Sequence, residues 1–269
     1  MKSVFTVIKE QFKSIYLISR LSAYEVKSAN KNNYLGILWE VINPMIQIGV
    51  YWIVFGVGIT GRKGEGDIAY FPWMIAGIVA WFFINPAITQ GTKAIYSRIK
   101  MVAKMSFPLS VIPSYVIIAK FYQHLMLLVV IMVILHFYGF TISIHYIELP
   151  YYMFAAIVLT FSISLITSTL ATIVRDVNMI VTAIMRMMIY LAPILWAPTT
   201  GILAKYQGIL KLNPIYYIIE GYRNSLLSQK WYLVSHWHYT LYFWAVILVL
   251  LFIGSVLHVK FRNRFVDFL

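Results

Sequence analysis

Long runs of apolar residues dominate this chain, and they restrict it to folds whose surface contacts something other than water. The run at 109–140 contains Lys120 as its only Lys, Arg, Asp or Glu. Over the whole chain 61% of residues are hydrophobic and 12% are charged, whereas a soluble domain usually carries about 25% charged residues. A water-soluble enzyme is therefore excluded, and the composition indicates an integral membrane protein.

Six of these runs are long enough to cross a bilayer, whose apolar core requires roughly 20 residues of helix. The runs are continuous rather than alternating, which favours helices over an outer-membrane barrel. We therefore predict an all-α integral membrane fold with six transmembrane helices, at about 35–60, 70–91, 109–140, 149–174, 177–196 and 239–259. The predicted division is an N-terminal segment, 1–34, followed by a single transmembrane domain, 35–269.

The distribution of basic residues predicts which side of the membrane each segment faces. With both termini inside, the cytosolic segments contain 14 lysine and arginine residues and the outer segments contain six. Cytosolic loops are enriched in these residues, so we expect a multi-pass protein with both termini in the cytoplasm. We therefore attribute the net charge of +13 to basic segments that flank the membrane and to binding of an anionic cargo, and not to binding of nucleic acid.

The N-terminal segment has the pattern of an amphipathic helix over residues 2 to about 31. At 100° per residue its basic residues fall within an arc of about 40°. These residues are Lys2, Lys9, Lys13, Arg20, Lys27 and Lys31. Apolar residues such as Phe5, Ile8 and Phe12 lie on an adjoining face, which predicts a helix lying along the inner leaflet. The basic stripe fits both a plain anchor on lipid phosphates and a dock for an acidic protein partner.

The segment 198–237, between the fifth and sixth predicted spans, is too apolar for an exposed loop. Its helical patterns are too short to cross the membrane, and one begins at Asn213 and Pro214, where Asn can cap a helix and Pro can occupy its first turn. Glu220 and Arg223 are spaced i, i+3 and can pair. We predict a re-entrant helical hairpin in the outer leaflet, with an extracellular cap outside the transport pathway as the alternative.

Two basic residues lie within predicted spans, where charge is costly and marks functional sites. Lys120 lies in the third span and Arg186 in the fifth, and no acidic residue lies at mid-span beside them. Two unpaired cations suit a wet pathway for an anionic polymer, although snorkelling or bonding to backbone carbonyls is the alternative. The cluster Trp81-Phe82-Phe83 can stack on sugar rings, and an interfacial belt or core packing explains it as well.

Motifs for self-contained catalysis are missing from the sequence. There is no G-x-x-x-x-G-K-[ST] phosphate-binding loop, and the six histidines have no zinc-ligand spacing. Cysteine is absent, which excludes disulfides and thiolate chemistry. We therefore expect neither enzyme activity nor a cofactor in this chain. Energy for active transport would have to come from a partner or from an ion gradient.

Several short motifs, taken in order, resemble those of ABC-2 type exporter permeases. The stretch 34–44, YLGILWEVINP, is similar to the LGxLWxxxxP start of that family's first span, and FPLSVIP at 107–113 is similar to the FP…P start of its third. The tripeptide Arg175-Asp176-Val177 matches a short cytosolic turn of the family. APILW at 192–196, LNP at 212–214 and Arg223 resemble its P-x-x-[YW]…NP…R outer region. Within the family the chain resembles the teichoic acid, O-antigen and capsule exporters, and its length, basicity and lack of cysteine favour teichoic acid.

The resemblance implies a homodimeric permease in the bacterial plasma membrane, working with two copies of a separate ATPase. ATP and Mg²⁺ would bind to that partner, while this chain would move an undecaprenyl-diphosphate-linked anionic polymer, such as wall teichoic acid, to the outer face. The segment 1–34 would be the interface helix in contact with membrane lipid. The residues that would couple to the ATPase are Lys93, Arg98, Lys100, Lys104, Arg175 and Asp176.

Two other functions remain open at this point. The first is an exporter of O-antigen or capsule polysaccharide, which would use the same architecture. The second is a membrane enzyme acting on polyprenyl-phosphate sugars, which requires acidic residues grouped around Mg²⁺. The acids expected at the cytosolic face are Glu10, Glu25, Glu40 and Asp176, with no DxxD-type pair among them. A gradient-driven carrier is disfavoured because the predicted spans lack carboxylates.

Overall fold

The computed structural model describes residues 2–29, 31, 33–58, 68–98, 108–197, 205, 207–262 and 265. Within these ranges the protein is helical and has no β-strand, as the long apolar runs predict. The helices are α1 (Lys2–Lys13), α2 (Ile15–Ala29), α3 (Trp39–Tyr51), α4 (Tyr70–Lys93), α5 (Val111–Phe137), α6 (Leu149–Ile173), α7 (Asp176–Leu191), α8 (Gln207–Leu210), α9 (Pro214–Leu226), α10 (Tyr232–Ser235) and α11 (Trp237–Phe261). A π-helix, Trp52–Val57, continues α3.

Five helical segments in the described part of the chain are long and apolar enough to cross a membrane. They are Gly36–Val57, Tyr70–Lys93, Val111–Phe137, Ile144–Ile173 and Trp237–Phe261. These correspond to five of the six predicted spans, with ends shifted by a few residues. The predicted span at 177–196 is different, because α7 has 16 residues and ends at Leu191. At 1.5 Å per residue it is about 24 Å long, less than the roughly 30 Å apolar core.

Helix α4 forms the centre of the bundle. Most of its span is buried, whereas very little of Gly36–Val57 is, and α4 packs against α5, α6, α7 and α9. A helix that is apolar all round is expected at such a central position. The spans around it leave one face exposed, as with Ile53 and Val54 after α3 and Leu248 on α11. Those exposed apolar faces are compatible with lipid contact.

The N-terminal segment forms two helices, α1 and α2, rather than the single predicted one, and Ser14 separates them. Its basic residues are exposed as predicted. A third face, missed by the sequence reasoning, carries the buried residues Val7, Ile18, Ser22 and Val26. Through this face α2 packs against α5, and the Ser22 hydroxyl donates to the Tyr115 carbonyl oxygen at 2.8 Å. The segment is therefore attached to the bundle as well as being amphipathic.

Candidate functional site: a polar chamber between four helices

An open cavity of about 700 Å³ lies between α3, α4, α5 and α7, and we call it the chamber. Charged, amide and aromatic side chains share its wall with a few apolar ones. The polar and aromatic lining residues are Trp39, Glu40, Asn43, Gln47, Tyr51, Trp81, Phe82, Asn85, Gln90, Lys120, Gln123, His124, Arg186 and Tyr190. A volume of this size is typical of ligand pockets.

Both cations predicted for the pathway, Lys120 and Arg186, line the chamber. Lys120 is partly buried, and Arg186 is exposed. Contrary to the prediction that they have no acidic neighbour, Glu40 lines the same chamber. The sequence reasoning placed Glu40 at the cytosolic end, whereas the first turn of α3 brings it against α5. Among the described lining residues two cations therefore face one carboxylate, and the chamber favours anions.

The predicted aromatic cluster is divided by the structure. Trp81 and Phe82 line the chamber, but Phe83 does not. Its ring is fully buried and packs against Phe121 at 5.8 Å and His124 at 5.4 Å between centroids. Successive residues of a helix point 100° apart, so three consecutive aromatics cannot all face one cavity. Phe83 has a packing role instead.

Five amide side chains line the chamber, and the sequence reasoning did not identify them. They are Asn43, Gln47, Asn85, Gln90 and Gln123. Amide groups inside apolar spans are a signal that could have been used, since polar groups at membrane depth need partners or water. An amide provides both donors and an acceptor, which suits a ligand that carries many hydroxyl groups.

A second polar cleft of about 300 Å³ shares Asn85, Gln90 and Arg186 with the chamber. It follows α4 and α7 towards Lys93, which is exposed in the last turn of α4. The cleft therefore adjoins the chamber at these three residues. It also reaches Lys93, the first of the residues predicted to contact the ATPase.

Four of the six predicted coupling residues, Lys93, Arg98, Arg175 and Asp176, lie within the described part of the chain. Arg98 forms an ion pair with Glu25 of α2, and its guanidinium lies 5.5 Å from the centre of the Tyr115 ring. Arg175 and Asp176 are exposed, and Asp176 begins α7 after the short turn. Lys100 and Lys104 lie outside the described residues. Arg98 is therefore bound to the N-terminal segment, whereas the side chains of Lys93, Arg175 and Asp176 are exposed.

The segment 198–237, predicted to be re-entrant, contains a buried helix, α9, that begins as the sequence predicts. The Asn213 side chain accepts a hydrogen bond from the Ile215 amide at 3.0 Å, and Pro214 occupies the first turn. Every residue from Ile215 to Leu226 is buried. The other helical pattern predicted in 198–237 lies largely outside the described residues and contributes only α8. Helix α9 is thus a core element of the protein.

The predicted ion pair Glu220–Arg223 is present and sealed within the protein. Arg223 donates to Glu220 at 2.6 Å and to the Ile194 carbonyl oxygen at 2.9 Å. Its guanidinium lies 3.6 Å from the centre of the Trp73 ring, and the side chain is only 2% exposed. This arginine joins α9 to α4 and to the segment after α7, and it does not line the chamber.

A hydrogen bond connects the chamber wall to the buried helix α9. His124 of α5 lines the chamber, and its Nε2 atom lies 3.0 Å from the Tyr222 hydroxyl of α9. Both side chains are buried. This contact links α5 to α9, and the sequence reasoning did not anticipate it.

Several apolar helices around a polar, aromatic-lined chamber define a membrane transport protein. The profile of the ABC-2 type transporter family matches residues 16–227, and the chain belongs to that family of transporter membrane subunits. It is 27% identical to the O-antigen export system permease protein RfbA of Klebsiella pneumoniae over 246 residues, 91% of this chain and 92% of the relative. A protein of the same name from Myxococcus xanthus is 22% identical over 225 residues, covering 83% and 85% of the two chains.

Proposed function

We propose that the chain is the membrane subunit of an ATP-driven exporter of a lipid-linked polysaccharide. The observation that carries this proposal is the chamber, in which aromatic rings, amides and cations face the same volume. Aromatic faces pack on sugar rings, amides bond to hydroxyl groups, and cations attract phosphate. A hydrophobic drug would require a more apolar wall.

The relatives favour an O-antigen type polysaccharide as the cargo over the wall teichoic acid that the sequence reasoning preferred. The names of the relatives refer to O-antigen export, and the alignments cover most of both chains. The cation excess of the chamber supports binding of phosphate in either cargo, because an undecaprenyl-diphosphate carrier contributes phosphates even to a neutral glycan. A membrane enzyme receives no support from the chamber, since Glu40 is the one carboxylate among its described lining residues.

The proposal includes the architecture implied by the family. Two copies of the chain would form the pathway, with α3 and α7 near the second copy, because both expose apolar residues beside an open chamber. The segment around α7 would complete six spans with both termini in the cytoplasm, and the outer segment with α9 would be re-entrant. Two copies of a separate ATPase would hydrolyse ATP with Mg²⁺ below the membrane.

The central test is polysaccharide export in cells that lack the chromosomal copy of the gene, complemented with variants of the chamber. We expect Phe82→Ala to reduce surface polysaccharide by roughly fivefold or more, because a stacking ring contributes about 1 kcal/mol or more. The matched control is Phe71→Ala, which removes an equally half-buried phenylalanine of the same helix that does not line the chamber. Equal export by the two variants, at equal protein levels, would contradict the proposal.

A separate experiment tests the partner. The charge-reversal variant Lys100→Glu/Lys104→Glu should still fold. Because these residues are predicted to contact the ATPase, the variant should uncouple ATP hydrolysis from export. The measurements are co-purification of the two subunits and ATP hydrolysis in vesicles. The control is Lys205→Glu/Lys211→Glu in the outer segment. Unchanged assembly and unchanged export in the first double variant would remove the coupling assignment while leaving the chamber assignment intact.

A further inference from the structure

A second cavity, of about 420 Å³, lies beneath the N-terminal helices and is distinct from the chamber. We call it the N-helix groove. Residues of the α1–α2 junction form its roof, and α5 and α6 form its walls. The lining is almost entirely apolar and includes Phe12, Ile15, Ile118, Val158 and Phe161. A groove of this volume and character suits a single elongated apolar ligand.

The position of the groove relates it to the lipid bilayer. The groove residues of α5, from Ser114 to Tyr122, lie 3–11 residues after the helix start, which corresponds to about 5–17 Å of helix. Phe161 on α6 lies 12 residues before the helix end, about 18 Å. Both walls belong to candidate spans. The groove therefore runs from the level of α1 towards the middle of an apolar core that is roughly 30 Å thick.

Charges on α1 lie beside the mouth of this groove. Lys9 and Lys13 are exposed and lie about 60–100° round the helix from Phe12. The neighbouring acid, Glu10, is engaged on another side, where it pairs with Arg262 at 2.8 Å. The roof thus presents an apolar face to the groove and two free ammonium groups next to it, which complements a ligand with an apolar chain and an anionic head.

We propose that the N-helix groove binds one acyl chain of an anionic phospholipid, whose phosphate lies at Lys9 and Lys13. The lipid would fill the space between the N-terminal helices and the bundle. The Gln11 side chain, which accepts a hydrogen bond from the Ser114 hydroxyl at 2.6 Å, limits the groove on its polar side. The assignment does not depend on the identity of the exported cargo, because the groove and the chamber have no described lining residue in common.

Photolabelling of the full-length protein in vesicles tests the site directly. The probe is phosphatidylglycerol with a diazirine in one acyl chain, and phosphatidylcholine with the same chain is the comparison. We expect the phosphatidylglycerol probe to label α5 and α6 peptides containing Ile118 and Phe161. The variant Ile118→Trp/Val158→Trp, which fills the groove, should lose most of that labelling. Leu248→Trp, on an exposed face of α11, should retain it.

A second experiment tests the role of the lysines and compares two variants with equal net charge. Lys9→Gln/Lys13→Gln should lower phosphatidylglycerol labelling of the groove roughly 25-fold, because each of the two basic residues near the membrane surface contributes about a fivefold attraction. Lys27→Gln/Lys31→Gln, at the other end of the N-terminal segment, should change it less than twofold. Equal labelling by both probes, equal effects of both charge variants, or displacement of the probe by excess undecaprenyl phosphate but not by phosphatidylglycerol would overturn the proposal.

Discussion

Arg223 and Arg186 are both arginines among apolar helices, but the structure treats them in opposite ways. Arg223 is sealed, with an ion pair to Glu220, a hydrogen bond to the Ile194 carbonyl oxygen and the Trp73 ring against its face. Arg186 is exposed at the chamber, and no ion pair to it is present among the described residues. The difference shows that burial within protein distinguishes a structural cation from one available to a ligand.

The sealed arginine has a geometric requirement that the chamber arginine does not have. Gly77 of α4 faces the Arg223 guanidinium so closely that an added Cβ atom would lie 2.6 Å from Nε. The glycine thus provides the space that the cation occupies. A buried charge is tolerated only when its hydrogen-bonding groups are satisfied, and here α4, α9 and the segment after α7 together satisfy them. Four substitutions test this difference between the buried Arg223 and the exposed Arg186, in order of decreasing effect on stability.

Loss of the sealed cation should have the largest effect. Arg223→Met leaves Glu220 buried without its partner, and we expect the free energy of unfolding to fall by about 3–5 kcal/mol. The measurement is denaturation of the purified protein in detergent, together with its yield. Glu220→Gln/Arg223→Met removes both charges and should recover much of the loss. A single variant as stable as the wild type would show that Arg223 is not structural.

Filling the space at Gly77 should have an intermediate effect. Gly77→Ala places a methyl group against the guanidinium, and such overpacking costs about 1–3 kcal/mol. Gly49→Ala is the control, because nothing lies within 4 Å of the added methyl group in α3. Helix propensity predicts that this control stabilises the protein slightly. Destabilisation of both variants to the same extent would contradict the role of Gly77.

The ion pair of Arg98 with Glu25 should contribute less to stability than the Arg223 side chain or the space at Gly77. Its side chains are 21% and 33% exposed, so solvent screens the attraction, and we expect Glu25→Gln to cost about 1 kcal/mol or less. The cost should shrink further in high salt, which denaturation at two ionic strengths will measure. If Glu25→Gln lowered the free energy of unfolding as much as Arg223→Met, and independently of salt, this pair would be shielded from solvent like the Glu220–Arg223 pair.

Removal of the chamber cation should affect stability least and transport most. We expect Arg186→Gln to change the free energy of unfolding by less than about 0.5 kcal/mol. Export of a phosphate-rich glycan should fall about tenfold or more, because a hydrogen bond to a charged group contributes about 1.5–3 kcal/mol. A glycan free of phosphate in its repeat should be affected less, and Arg186→Lys should retain more activity. Equal losses for both cargoes would remove the electrostatic argument.

Much of the candidate site was predictable from the sequence, and the exceptions have definite causes. Lys120, Arg186, Trp81 and Phe82 are unusual residues for their predicted depth, and all four line the chamber. The carboxylate of Glu40 was not assigned to it, because its place depends on how α3 packs against α5. Phe83 was a candidate for stacking on sugars with core packing as the alternative, and its buried, packed position agrees with the alternative, since neighbouring residues of a helix point 100° apart.

The sequence by itself determined that the protein is helical and embedded in a membrane, because apolar runs of about 20 residues satisfy their own backbone groups only as helices. It also determined local features such as the Asn213 cap and the i, i+3 spacing of Glu220 and Arg223. Tertiary structure decided which faces of those helices meet. The chamber, the seal around Arg223 and the N-helix groove all depend on side chains brought together from distant segments, which no local pattern specifies.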